Sequence, residues 1–98
     1  MKQINKKDFE IFYKAILSLE TIEECDAFFD DLCTIQELES FKQRLEVAFL
    51  LKKGMSYADI NKITSASTAT ISRVSKYLNY GDGGYSIAIE RIKDKENV

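Results

Sequence analysis

The sequence of 98 residues has no proline and four glycines, and with 45% hydrophobic and 31% charged residues it predicts one ordered, all-α domain over residues 1–98. No apolar run approaches the roughly 18 residues of a membrane span, and the start MKQINKKDFE lacks a secretory apolar stretch, so a cytoplasmic protein without membrane contact is expected. Histidine is absent and the spacing of Cys25 and Cys33 fits no zinc motif, so no metal is expected, and Cys25 is predicted to be a reduced core residue.

Capping residues and helical spacing of apolar side chains divide the chain into helices. Asn5 precedes the first helix, and the pairs Thr21 with Glu24 and Thr34 with Glu37 match the capping box at the start of the second and third. The predicted helices cover residues 6–19, 22–32, 35–53, 57–64, 68–79 and 86–94.

The end of the third predicted helix, VAFLL at residues 47–51, is apolar on nearly every side. Such a helix end must be covered by more than one neighbour. With six phenylalanines and five tyrosines, the short chain also carries more apolar surface than one small core readily buries. A homodimer is therefore expected. The second predicted helix carries an acidic face that is expected to be solvated, formed by Glu23, Glu24, Asp26, Asp30 and Asp31.

Two short helices separated by a brief break follow the long third helix. Gly54 is expected to end the third helix, and Ser56 with Asp59 starts the fourth. After a break at residues 65–67, the fifth helix begins at Thr68. This order of elements is typical of a helix-turn-helix, whose second helix enters the major groove of DNA.

The fifth predicted helix is rich in small and hydroxyl-bearing residues. Ile71, Val74 and Leu78 are spaced to face the core, which leaves the small residues facing outward. Net charge is −2 for the chain but +4 for residues 51–78, so positive charge is concentrated around this helix. Base contacts are predicted for Thr68, Ala69 and Ser72. Contacts to the DNA backbone, or secondary contacts, are predicted for Lys52, Lys53, Tyr57, Asn61, Lys62, Arg73 and Lys76.

The segments LLKKGMSYADINKI (50–63) and ASTATISRVS (66–75) resemble the Trp repressor family. They are similar to its leucine-rich helix end, its Met-Ser entry to the first short helix and its Ala-Thr-Ile-(Ser/Thr)-Arg-x-Ser recognition helix. The segment NYGDGGY (79–85) is associated with Trp-repressor-like proteins of the YerC/YecD type. The resemblance covers most of the chain and implies an intertwined homodimer, a palindromic operator in double-stranded DNA, and transcriptional repression.

In this family the regulator is L-tryptophan, and the resemblance assigns Thr70, Arg73, Val74 and Tyr77 to the ligand-pocket positions. The family's glycine after the arginine is Val74 here, a small serine is Tyr77, and a second pocket arginine aligns with Gln43. The added bulk would fill the space that an indole needs. No cofactor is therefore expected; Tyr77 is predicted to pack into its own subunit, and Arg73 to pair with a carboxylate or a DNA phosphate.

The turn of the motif departs from the family pattern at two positions. Ser65 stands where glycine is common, and a left-handed conformation there would cost about 1 kcal/mol. Thr64 replaces an aliphatic anchor, a role that Ile63 is expected to take over. Either change predicts a loosened fourth helix, a segment that orders only on DNA.

Three other interpretations of the sequence remain open. A helical hairpin with two closely crossing helices explains the small residues but not the positive charge. A protein-binding adaptor with the same fold would bridge polymerase or another regulator through the acidic second helix. An enzyme has little support, because without histidine no acid–base or nucleophile pair emerges, and none is expected.

Overall fold

The structure, a computed structural model, describes residues 5–96, with side chains for residues 5–93. Over this range the chain forms one 3₁₀ turn and six α-helices and no strand, which confirms the all-α prediction. The turn is Lys6–Phe9, and the helices are α1 (Glu10–Leu17), α2 (Ile22–Leu32), α3 (Ile35–Lys52), α4 (Tyr57–Thr64), α5 (Thr68–Tyr80) and α6 (Gly84–Glu96). None of the helices described is both long and apolar enough to cross a membrane.

Local hydrogen bonds explain where the helices begin. At α3 the capping box is reciprocal: the Glu37 N–H donates to Thr34 Oγ1 at 3.1 Å, and the Thr34 N–H donates to Glu37 Oε1 at 2.9 Å. At α2 the Glu24 N–H donates to Thr21 Oγ1, but the Glu24 carboxylate accepts from the Glu20 N–H, one residue before the cap. These bonds satisfy backbone donors that have no partner inside a helix.

The junction after α3 is set by Gly54, as predicted. Its φ of 84° lies in the left-handed region, which glycine adopts without steric penalty. The Met55 N–H donates to the Leu50 carbonyl at 3.1 Å and the Gly54 N–H to the Leu51 carbonyl at 3.0 Å, the pattern of a Schellman motif. The chain therefore turns sharply toward α4.

The chain divides into two compact units at residues 38 and 39, within α3. We call residues 5–38 the N-terminal unit and residues 39–96 the C-terminal unit. The C-terminal unit holds a core drawn from α3, α4, the break before α5, α5 and α6. Its buried side chains are Val47, Ala48, Ile60, Ala66, Ile71, Val74 and Ile89.

The N-terminal unit contains no buried residue among those described. Phe28 and Phe29 are half-buried and pack edge to face, with 5.2 Å between ring centroids. Leu17 and Ile22 expose 82% and 84% of their surface. The prediction that Cys25 is a core residue is wrong for this chain, because Cys25 is exposed; both cysteines are free.

Candidate nucleic-acid interface

The break between α4 and α5 is held by side-chain hydrogen bonds. Thr64 Oγ1 donates to the Ile60 carbonyl at 2.8 Å and accepts from the Ala66 N–H at 3.1 Å. Asn61 Nδ2 donates to the Ala66 carbonyl at 2.8 Å, and Gln43 Nε2 donates to the Thr64 carbonyl at 3.1 Å. Gln43 thus ties α3 to the end of α4, and Asn61, a predicted secondary DNA contact, has a role within the turn.

Ser65 is left-handed, with φ 62° and ψ 11°, as its position in the turn suggested. Ile63 does not replace the missing aliphatic anchor, because it is 62% exposed; that prediction is wrong. The buried residues Ile60 and Ala66 anchor the turn instead. Residues 57–64 form α4 with the expected bounds and the Ser56 cap.

The N-terminal end of α5 is capped and slim. The Thr70 N–H donates to Ser67 Oγ at 3.1 Å, which fixes the start of the helix. Ile71 and Val74 are buried, so the opposite face of α5 points outward. The three residues predicted to contact bases all lie exposed on or beside that face: Thr68, Ala69 and Ser72.

Residues 51–78 carry an excess of exposed positive charge. The five cations of residues 51–78 are all exposed: Lys52 and Lys53 at the end of α3, Lys62 on α4, and Arg73 and Lys76 on α5. Helix α5 has no acidic residue. Within residues 5–93 the ion pairs are Lys14 with Glu10 and Lys42 with Glu46, so none of the five cations is neutralised by a described carboxylate. Such a surface attracts phosphates.

The Tyr77 ring lies within cation–π distance of two of these cations. The Arg73 Cζ atom is 5.1 Å and the Lys76 Nζ atom 5.7 Å from the centroid of its ring. Tyr77 is 42% exposed, so the prediction that it packs into its own subunit is wrong for the single chain. Arg73 contacts this ring rather than a carboxylate of the described part of the chain. Tyr57, another predicted DNA contact, is also partly exposed.

The sequence did not point to Tyr80, which ends α5 one turn beyond Lys76 and is 87% exposed. The i, i+4 spacing from Lys76 was the available signal. It was missed because the predicted helix stopped at residue 79. An aromatic side chain in this position extends the outward surface of α5.

Two further features of the described residues concern metal and ligand binding. No group of three or more His, Cys, Asp or Glu residues capable of holding a metal occurs in the described part of the chain. A cleft of about 230 Å³ lies between the end of α3 and α6, lined by Phe49, Lys52, Lys53, Ile89 and Lys93. Its apolar floor and lysine rim do not include the residues of α5.

The α3–α4–α5 arrangement, with a left-handed turn and an exposed, capped second helix, defines a helix-turn-helix protein. The family described as Trp repressor protein matches residues 7–93. The chain belongs to the Trp repressor family, whose members are generally regulators without enzymatic activity.

Individual relatives give the same assignment. The chain is 52% identical to the Bacillus subtilis (strain 168) protein YerC, described as uncharacterized, over 97 residues that cover 96% of this chain and 93% of that protein. A crystal structure of a candidate Trp repressor from Staphylococcus aureus has a TM-score of 0.87 at 45% identity, with 94% of this chain and 95% of that one covered. A TrpR-like protein from Eubacterium eligens ATCC 27750 has a TM-score of 0.85 at 49% identity, covering 88% and 89%. The fold is therefore Trp-repressor-like.

The positions that the resemblance assigns to a ligand pocket carry side chains with contacts inside the chain. Val74 is buried in the core cluster, where a glycine would leave space, and the Tyr77 side chain is engaged by Arg73. Gln43, at the second arginine position, donates its amide to Thr64 instead of facing a ligand. Thr70 is half-buried at the capped start of α5, with its hydroxyl 3.2 Å from Ser67 Oγ. These positions are occupied by contacts within the chain.

Proposed function

We propose that this protein is a sequence-specific, DNA-binding transcriptional regulator, a repressor, that acts in the cytoplasm as a homodimer. The observation that carries the proposal is the exposed, small-residue N-terminal end of α5, together with five exposed cations of residues 51–78 that no described carboxylate neutralises. Membership of the Trp repressor family supports it.

Base recognition is assigned to Thr68, Ala69 and Ser72. Their small side chains let the helix backbone approach base edges closely, because no bulky group stands between them. The hydroxyls can exchange hydrogen bonds with bases, and the Ala69 methyl can contact the thymine methyl group. The first turn of α5 also has N–H groups free for an anion, which favours a nearby phosphate.

Backbone recognition is assigned to exposed residues at the end of α3, on α4 and on α5. The cations carry most of the affinity, since neutralising phosphates releases counterions, and this makes binding depend steeply on salt. Tyr57 and Asn61 on α4 add secondary contacts to sugar or phosphate. The contacting cations are Lys52, Lys53, Lys62, Arg73 and Lys76.

The dimer is supported by the uncovered apolar residues of the N-terminal unit, including Leu17 and Ile22. Exposed aliphatic side chains in such number are costly in water, and a second copy that covers them gains their transfer free energy. Two-fold symmetry then presents two α5 helices to a palindromic site, with half-sites about one helical turn apart.

The first test is a salt-titrated mobility-shift assay on fragmented genomic DNA with the wild-type protein. The proposal predicts that some fragments are retained preferentially and that affinity falls steeply between about 50 and 200 mM salt. Retention of no preferred fragment would contradict the proposal and favour a protein-binding adaptor that uses the exposed acidic face of α2.

The second test compares two substitutions on one face of α5. Ser72→Ala should change the ranking of bound sequences, because it removes a hydroxyl aimed at bases. Lys76→Ala should weaken all sites by a similar factor and lower the salt slope by about one, the change expected when one phosphate is no longer neutralised. An equal loss on every sequence from Ser72→Ala would argue against base recognition by this residue.

A further inference from the structure

One aromatic ring on α5 contacts two cations on the protein surface, outside the core. Tyr77 is 42% exposed, and the side chains of Arg73 and Lys76 that cover it are exposed too. Arg73 and Tyr77 are four residues apart and therefore neighbours on one face of the helix. The distances of 5.1 and 5.7 Å to the ring centroid are within the range of cation–π attraction.

A ring in this place limits where the two cations can go. Arginine and lysine side chains have many rotamers, and fixing one on a phosphate costs conformational entropy. When a neighbouring group already restricts those rotamers, less entropy remains to be lost on binding. The ring leaves the charged groups exposed, so the restricted cations still reach a phosphate.

We propose that Tyr77 is a positioning residue for DNA binding, which holds Arg73 and Lys76 in the conformations that contact the phosphate backbone. This role rests on the proposed function.

The matched variants are Tyr77→Leu, which removes the ring, and Tyr77→Phe, which keeps it without the hydroxyl. Ordering one long side chain before binding raises affinity by a factor of about two to ten. Tyr77→Leu should therefore weaken binding to the preferred genomic fragment about three- to tenfold and lower the salt slope, whereas Tyr77→Phe should bind within twofold of wild type.

A second measurement is independent of DNA. In NMR spectra of the free protein, the side-chain protons of Arg73 and Lys76 that lie over the ring should be shifted upfield in wild type and Tyr77→Phe, and this shift should disappear in Tyr77→Leu. Thermal unfolding establishes that each variant folds. Absence of the shift in folded wild type would overturn the proposed contact even if the protein binds DNA.

The DNA measurements separate this role from the proposed function. Tyr77→Leu that binds with wild-type affinity and salt slope would overturn the positioning role and leave the regulator proposal standing. A wild-type protein with no preferred fragment would overturn the regulator proposal and this role with it. Loss of affinity in Tyr77→Leu with rescue in Tyr77→Phe supports both.

Discussion

The N-terminal and C-terminal units differ in how they treat their apolar residues. Among the described residues, the seven buried side chains all belong to the C-terminal unit, where helices and a turn supply the core around Ile60 and Ile71. The N-terminal unit leaves Leu17 and Ile22 almost entirely in solvent, although its helix α2 is capped by Thr21. Capping and spacing are thus enough to form a helix but not to cover its apolar face.

Charge separates the two units as well. Residues 5–38 contain three basic and nine acidic side chains, whereas residues 39–93 contain nine basic and five acidic ones. A polyanion such as DNA is attracted by the net positive charge of residues 39–93 and repelled by the net negative charge of residues 5–38. Under the proposed function, the C-terminal unit would contact DNA and the N-terminal unit would contact a second copy of the chain.

The largest expected effect comes from placing charge on the N-terminal unit. In the double variant Leu17→Glu, Ile22→Glu, two carboxylates would have to be buried without partners on dimerisation, which is strongly unfavourable. We expect the protein to change from a dimer to a monomer of 11.2 kDa. Sedimentation equilibrium measures this mass directly, and DNA affinity should fall at least a hundredfold.

Ile63→Glu is the control for this variant. Ile63 is also largely exposed but lies on α4 in the C-terminal unit. We expect Ile63→Glu to sediment like wild type. A monomer from Ile63→Glu, or a dimer from the double variant, would contradict the assignment of dimerisation to the N-terminal unit.

The next largest effect tests the core of the C-terminal unit. Ile60 is fully buried, and Ile60→Ala should lower the free energy of unfolding by about 2–5 kcal/mol. Ile63→Ala, the same change three residues later, should alter it by less than about 0.5 kcal/mol. Urea unfolding at one fixed protomer concentration measures both, because dimer stability depends on concentration. Equal losses would refute the burial pattern of α4.

A smaller effect is expected at the left-handed turn. Ser65→Gly should raise the free energy of unfolding by about 0.5–1 kcal/mol, because glycine avoids the left-handed penalty but loses more freedom on folding. Ser67→Ala should lower it by about 1 kcal/mol, since the α5 cap is removed. The same urea unfolding experiment shows whether each substitution raises or lowers the free energy of unfolding. A destabilising Ser65→Gly change would mean that the serine has another role in the turn.

The smallest effect is predicted for L-tryptophan. Because Val74 and Tyr77 occupy the positions that would accommodate an indole, millimolar L-tryptophan should change DNA affinity by less than about twofold. Isothermal titration calorimetry on the protein alone should detect no saturable heat. Saturable binding would contradict the expectation that the side chains at Val74 and Tyr77 leave no space for an indole.

Local patterns predicted much of this structure. Hydroxyl and carboxylate residues marked the starts of α2, α3 and α4, because these caps act within four residues of chain. The glycine position of the turn motif identified Ser65 as a left-handed candidate. The outward row of α5 followed from the spacing of Ile71 and Val74, which are buried.

The wrong predictions concern residues whose burial and contacts depend on tertiary structure. Cys25 shares an apolar stripe with Phe28 and Phe29, but spacing cannot tell whether another surface covers that stripe. Ile63 was expected to anchor α4 in place of an aliphatic residue at position 64. Thr64 is instead held at the end of α4 by its hydrogen bonds to Ile60 and Ala66. The contact of Arg73 with Tyr77 depends on side-chain rotamers, which the sequence does not specify.

The most direct test of the account is to select DNA from a random double-stranded pool with the wild-type protein and sequence the bound molecules. The account predicts an enriched palindrome whose half-sites are about one helical turn apart, since two α5 helices related by two-fold symmetry would contact them. A pool that shows no enrichment, or enriches a single half-site without symmetry, would contradict it.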